Sequence, residues 1–164
     1  MPLLKEDRYT LADALTWDKR ERIELIDGAP VMMAPPFRLH QEIITALLAQ
    51  LYNYLEGKKC KVYPAPFAVR LFDDIGCKGA PDLIIEVLSP STQCHDRLTK
   101  YNLYERAGVP EYWIVSPEER TVQVSTLVDG RYRVQELYTA EAVAKVNTLS
   151  GCFIELSKVF PAEQ

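Results

Sequence analysis

The chain has 164 residues, 48% hydrophobic and 26% charged, with a net charge of −4. That length suits one domain, residues 1–164, with a full core. The acidic balance disfavours strong non-specific binding to nucleic acid, which depends on Lys and Arg neutralising phosphates. No stretch approaches the ~18 apolar residues of a membrane helix, and Met1–Thr10 has no apolar secretory core. A cytoplasmic protein is therefore expected. The cysteines Cys60, Cys77, Cys94 and Cys152 form no C-x-x-C pair and read as plain thiols.

In chain order, Thr10 is placed to cap a short helix over Leu11–Leu15. Arg22–Met33 reads as two strands joined at Asp27-Gly28, a strong hairpin signal. From Phe37 to Glu56 the period becomes helical: Leu39, Ile43, Leu47, Leu51 and Leu55 recur every fourth residue, and Gly57 ends the run. Cys60–Tyr63 and Phe67–Phe72 read as strands around Pro64 and Pro66. An acidic turn with Asp73 and Asp74 leads to the run Leu83–Leu88, so 67–88 reads as an antiparallel hairpin. A helix is expected over His95–Ala107, ended by Gly108, and an apolar strand over Val109–Val115. Thr121–Val128 and Arg131–Leu137 flank Asp129-Gly130, a second hairpin signal, and short strands follow near Val143 and after Leu149. The class is α+β, or α/β in character: a mixed sheet flanked by helices, with hairpin additions.

The chemical signal lies in Gly79–Lys100. Leu83, Ile84, Ile85, Val87 and Leu88 read as a strand buried on both faces, yet Glu86 sits among them. A carboxylate there is costly unless paired, hydrogen-bonded or metal-bound. Asp82 shares its face but stands roughly 13 Å away along an ideal strand, too far to share one ion. Asp82, Asp73, Asp74 and Asp96 are the other acids within reach in sequence, and Lys100 is the cation. Carboxylates around Mg²⁺ with a nearby lysine are what phosphodiester hydrolysis requires. Each member also has an ordinary structural role open to it: a cap for Asp82, turn residues for Asp73 and Asp74, a helix-face salt bridge for Asp96 and Lys100. No phosphate-binding glycine loop and no G-x-S-x-G elbow occurs.

The segment Gly79–Thr92, with Asp96, Lys100, Tyr101 and Leu103–Val115, strongly resembles the Uma2 family of restriction-endonuclease-like proteins. Glu24–Gly28 and His40-Gln41 match its N-terminal pattern, so the likeness covers nearly the whole chain. The resemblance implies a PD-(D/E)xK nuclease fold and Mg²⁺-dependent cleavage of DNA, with Mn²⁺ as the substitute ion. By the same resemblance Glu86 is the acid of the (D/E)xK strand. Leu88 stands where the lysine is expected, and Lys100 replaces it from the following helix. His40, Gln41 or Glu42 occupies an early-helix position that helps hold the metal. The family pattern has a further Pro-Asp strand between the segments matching Phe67–Leu71 and Cys77–Pro81, and this chain is short there. Asp74 or Asp82 is left to partner Glu86. The expected site is thus Glu86, Lys100, Asp82 and Asp74, with Glu42 as an added metal ligand. The alternative is an inactive nuclease fold serving as a binding or assembly module. A further reading has Tyr112–Val115 and the C-terminal hairpin mediating self-association into a homo-oligomer.

Overall fold

A computed structural model of the chain describes residues 8–17, 23–26, 28–33, 35–67, 69–71, 77–89 and 95–162. They fall in two units, residues 1–35 and 36–164.

In the first unit, Thr10 and Asp13 cap helix α1 (Leu11–Ala14) reciprocally. The Thr10 N–H donates to Asp13 Oδ2 at 2.7 Å, and the Asp13 N–H to Thr10 Oγ1 at 3.3 Å. Strands β1 (Ile23–Ile26) and β2 (Ala29–Met32) pair antiparallel with Ile26 opposite Ala29. Asp27 of the expected turn lies outside the described residues. Gly28 has φ +82°, and a Cβ there would come within 2.7 Å of the Arg8 Cβ.

The second unit opens with helix α2 (Arg38–Leu55), which buries Ile43, Leu47, Leu51 and Leu55. Leu39, expected on the same stripe, is exposed. Gly57, at φ +72°, follows the last turn. The expected strand at Cys60–Tyr63 does not form. Of its side chains Val62 packs on the core while Cys60, Lys61 and Tyr63 are exposed, and Pro64 and Pro66 supply no N–H to a ladder.

The expected strand Phe67–Phe72 shortens to β3 (Val69–Arg70), which pairs with β4 (Cys77–Lys78) in parallel. The antiparallel hairpin expected over 67–88 is therefore incorrect. The acidic strand β5 (Leu83–Val87) pairs instead with β6 (Glu111–Ser116), in parallel, with Glu86 opposite Ile114. A parallel pair needs a crossover. It is supplied by a helix whose first turn, His95–Lys100, is π-helical and which continues as α3 (Tyr101–Ala107). Gly108, at φ +78°, ends it, with its N–H donating to the Glu105 carbonyl.

Strands β7 (Thr121–Val128) and β8 (Arg131–Thr139) complete a sheet of order β5-β6-β7-β8. Asp129 and Gly130, at φ +52° and +74°, form the turn between them. A separate pair, β9 (Val143–Lys145) and β10 (Phe153–Glu155), runs antiparallel and ends in a 3₁₀ turn, Leu156–Lys158.

Burial on both faces belongs to β6, every residue of which is buried, rather than to β5. Among the described residues β5 is an end strand and is mostly half-buried. The internal position of β6 also removes Tyr112–Val115 from the surface, so that strand offers no edge to a second copy. Period-2 alternation assigns the two sheet faces. Leu83, Ile85, Val87, Trp113 and Val115 join Ile43, Leu47 and Leu51 of α2. Ile84, Leu88, Tyr112 and Ile114 join Tyr101, Leu103 and Tyr104 of α3. Glu86 alternates with Ile84 and Leu88, so it faces the crossover helix. No helix among the described residues is long and apolar enough to cross a membrane.

Candidate functional site

Glu86 is one strand position from the end of β5, and its side chain is 21% exposed. Lys100 closes the π-helical turn and is 5% exposed. Its Nζ lies 3.2 Å from Glu86 Oε1. Four residues on, one helical turn later, the Tyr104 hydroxyl donates to the same oxygen at 3.0 Å. An ammonium this buried is tolerated because a carboxylate faces it, and the carboxylate is held among apolar neighbours because two donors meet it. π-Helical turns occur mostly as local insertions, frequently at functional sites, and this one presents Lys100 to the strand.

From the opposite sheet face, α2 delivers His40. Its Nε2 lies 2.9 Å from the carbonyl oxygen of Val87, the residue after Glu86. A carbonyl accepts, so Nε2 carries the proton, and in the neutral ring Nδ1 is a lone pair. That Nδ1 is buried with no hydrogen-bond partner among the described residues.

The other expected site residues are placed differently. Asp82 is exposed at the mouth of β5. Glu42 pairs with Arg38 at 3.6 Å on the outer face of α2. Gln41 is exposed, and its backbone carbonyl accepts from Thr45. Asp73 and Asp74 lie outside the described residues, as does the side chain of Asp96. Oxygen donors suit Mg²⁺, and Glu86 supplies one. No group of three or more His, Cys, Asp or Glu that could hold an ion occurs among the described residues. These residues therefore do not complete a Mg²⁺ site on their own.

Tyr104 falls in the sequence only within the helix expected over His95–Ala107, with no role of its own at the site. Its spacing from Lys100 is the signal that would have found it. A second buried carboxylate, Glu111, sits fully buried at the start of β6. It accepts from Trp113 Nε1 at 2.7 Å, from the N–H groups of Asn147 and Thr148 at 3.0 and 2.7 Å, and from both of those side chains. Glu111 ties the 147–148 loop to the sheet and is saturated by protein donors.

A mixed sheet with an acid on its end strand, met by a lysine from the crossover helix, places the protein among nuclease-type α+β folds. A crystal structure described as a "putative nuclease belonging to DUF820", from Anabaena variabilis, superposes with a TM-score of 0.67. That likeness covers 93% of this chain and 97% of the other at 19% identity, and it shows the shared fold. The sequence model of Uma2, described as "Putative restriction endonuclease", matches residues 11–157, and the chain belongs to that family. An uncharacterized protein of Synechocystis sp. is 26% identical over 137 residues, covering 70% of each chain.

Proposed function

We propose that the protein hydrolyses phosphodiester bonds in DNA with Mg²⁺, for which Mn²⁺ can substitute. The observation that carries this reading is the Glu86–Lys100 pair at 3.2 Å, strand acid to helix lysine, in a chain of the Uma2 family. Glu86 would hold the ion, and Asp74 has the sequence spacing to supply the second carboxylate. Asp82 and Glu42 are less suited, the one exposed at the strand mouth and the other paired with Arg38. A bound Mg²⁺ supplies charge for the phosphoryl oxygens and an activated water. As an ammonium, Lys100 offsets charge that develops on the phosphate. Tyr104 positions the carboxylate, and His40 fixes the end of β5. A DNA substrate agrees with the cytoplasmic location expected from the sequence.

Plasmid nicking in Mg²⁺ tests the reading. Wild type should nick, and Glu86→Gln should lose at least about 100-fold, the cost of removing one preorganised electrostatic group. Equal nicking by both would remove Glu86 from the mechanism. That no group of three or more His, Cys, Asp or Glu able to hold an ion occurs among the described residues favours the second reading, an inactive nuclease fold that binds. Calorimetry separates the two: Mn²⁺ binding that disappears in Glu86→Gln contradicts the inactive module.

A further inference from the structure

Apart from Val62, which packs on the core, the stretch 57–67 is explained neither by the core nor by the site. It holds three lysines, Lys58, Lys59 and Lys61, and no acid, in a chain whose net charge is −4. All its residues but Val62 are exposed. Two of them are large aromatics, Tyr63 at 60% and Phe67 at 45% exposure. Their rings stack on each other with centroids 4.6 Å apart and planes within 8° of parallel. Pro64 and Pro66 lie between them, and proline fixes φ and so narrows the conformations open to the stretch. Lys58 is engaged locally: its ammonium donates to the Tyr54 carbonyl and sits over the Tyr54 ring at 3.5 Å. Lys59 and Lys61 are exposed, and among the described residues neither takes part in an ion pair.

We propose that residues 57–67 form a contact surface for single-stranded DNA, with a base stacking on the Tyr63–Phe67 pair and Lys59 and Lys61 meeting the flanking phosphates. Aromatic faces beside cations are how single strands are bound without sequence preference. A duplex keeps its base faces inside, so a ring stack of this kind takes an unpaired base. Two aromatic residues expose too little apolar surface for a membrane interface, which needs an extended apolar helix face. The choice of DNA as partner rests on the nuclease reading above; the positive charge and the stacked rings do not.

The test is fluorescence anisotropy of a labelled oligothymidylate with the full chain in EDTA, so that no cleavage intervenes. Wild type should bind it more tightly than a duplex of equal length. Tyr63→Ala/Phe67→Ala should weaken binding by roughly 5- to 150-fold, the range for losing one stacked base. Lys59→Gln/Lys61→Gln should flatten the slope of log affinity against log salt by about 1.4, or ~0.7 for each lost phosphate contact on a single strand. These side chains are exposed, and an unchanged melting curve checks that the variants fold. The proposal is overturned if wild type fails to bind the oligonucleotide or if the aromatic variant binds like wild type. It is also overturned if anionic vesicles, and not the oligonucleotide, are bound through these residues. Loop-dependent binding by a protein that never nicks DNA sinks the nuclease reading and leaves this surface standing. Nicking by wild type with unaltered binding in both loop variants does the reverse.

Discussion

Glu86 and Glu111 are carboxylates on adjacent strands, and their surroundings set their roles apart. Glu111 is fully buried and faces protein donors on both oxygens. In Glu111→Gln the amide would turn a donor toward donors, at a cost of about 1–3 kcal/mol by the usual penalty for an unsatisfied buried group. Urea unfolding should show that loss, with cleavage per folded molecule unchanged. Glu86 is partly open and faces a lysine and a tyrosine. Glu86→Gln should cost less stability than Glu111→Gln and remove activity. Tyr104→Phe deletes only the hydroxyl on Oε1 and should cost about 1–2 kcal/mol, with a fall in kcat larger than any change in KM. Glu86 was conspicuous in the sequence because acids are rare inside apolar runs. Glu111 was not, since it stands beside Pro110 near the start of the expected strand Val109–Val115 and its partners Asn147 and Thr148 come from far along the chain.

Elements set by local chemistry were legible. The α2 stripe, the glycines after α2 and α3 and the Asp129-Gly130 turn each follow from a few neighbouring residues. Strand pairing was less legible. Nothing within 67–88 states that β5 will find β6 across a helix instead of folding back on β3, because a parallel partner is chosen by burial, and β6 is the more apolar strand. The π-helical turn that delivers Lys100 had no local signature. One link between elements predicts a pH effect. Glu105 of α3 accepts from the Tyr132 N–H at 2.7 Å and from Arg131 at 2.9 Å, tying the crossover helix to the start of β8. The backbone hydrogen bond from Tyr132, helped by Arg131, holds the Glu105 carboxyl below its ordinary value of 4.5. A lowered folded value favours the folded state while the carboxyl is ionised. That contribution is present above about pH 4.5 and is lost as pH falls through the lower folded value. Glu105→Gln should therefore be less stable than wild type at pH 7, and the gap should narrow toward pH 3, as read by thermal melts across that range.

At the scale of the whole molecule, the described members of the candidate site, Glu86, Lys100, Tyr104 and His40, all belong to the unit 36–164, as does the 57–67 surface. That unit also holds the four-stranded sheet, α2, α3 and the two apolar layers on the sheet faces. Among its described residues the unit 1–35 has a four-residue helix and one antiparallel pair of four-residue strands. Chains below about 40 residues rarely bury enough apolar surface to fold without a staple or a partner. A fragment of residues 36–164 should therefore melt cooperatively by circular dichroism, keep the Trp113 near-ultraviolet signal and bind the oligothymidylate as the full chain does. A fragment of residues 1–35 should show no cooperative transition. If residues 36–164 also fail to fold alone, the first 35 residues belong to the same cooperative domain, as the single-domain reading of the sequence expects, and full-chain melts should then show one transition in every variant named above.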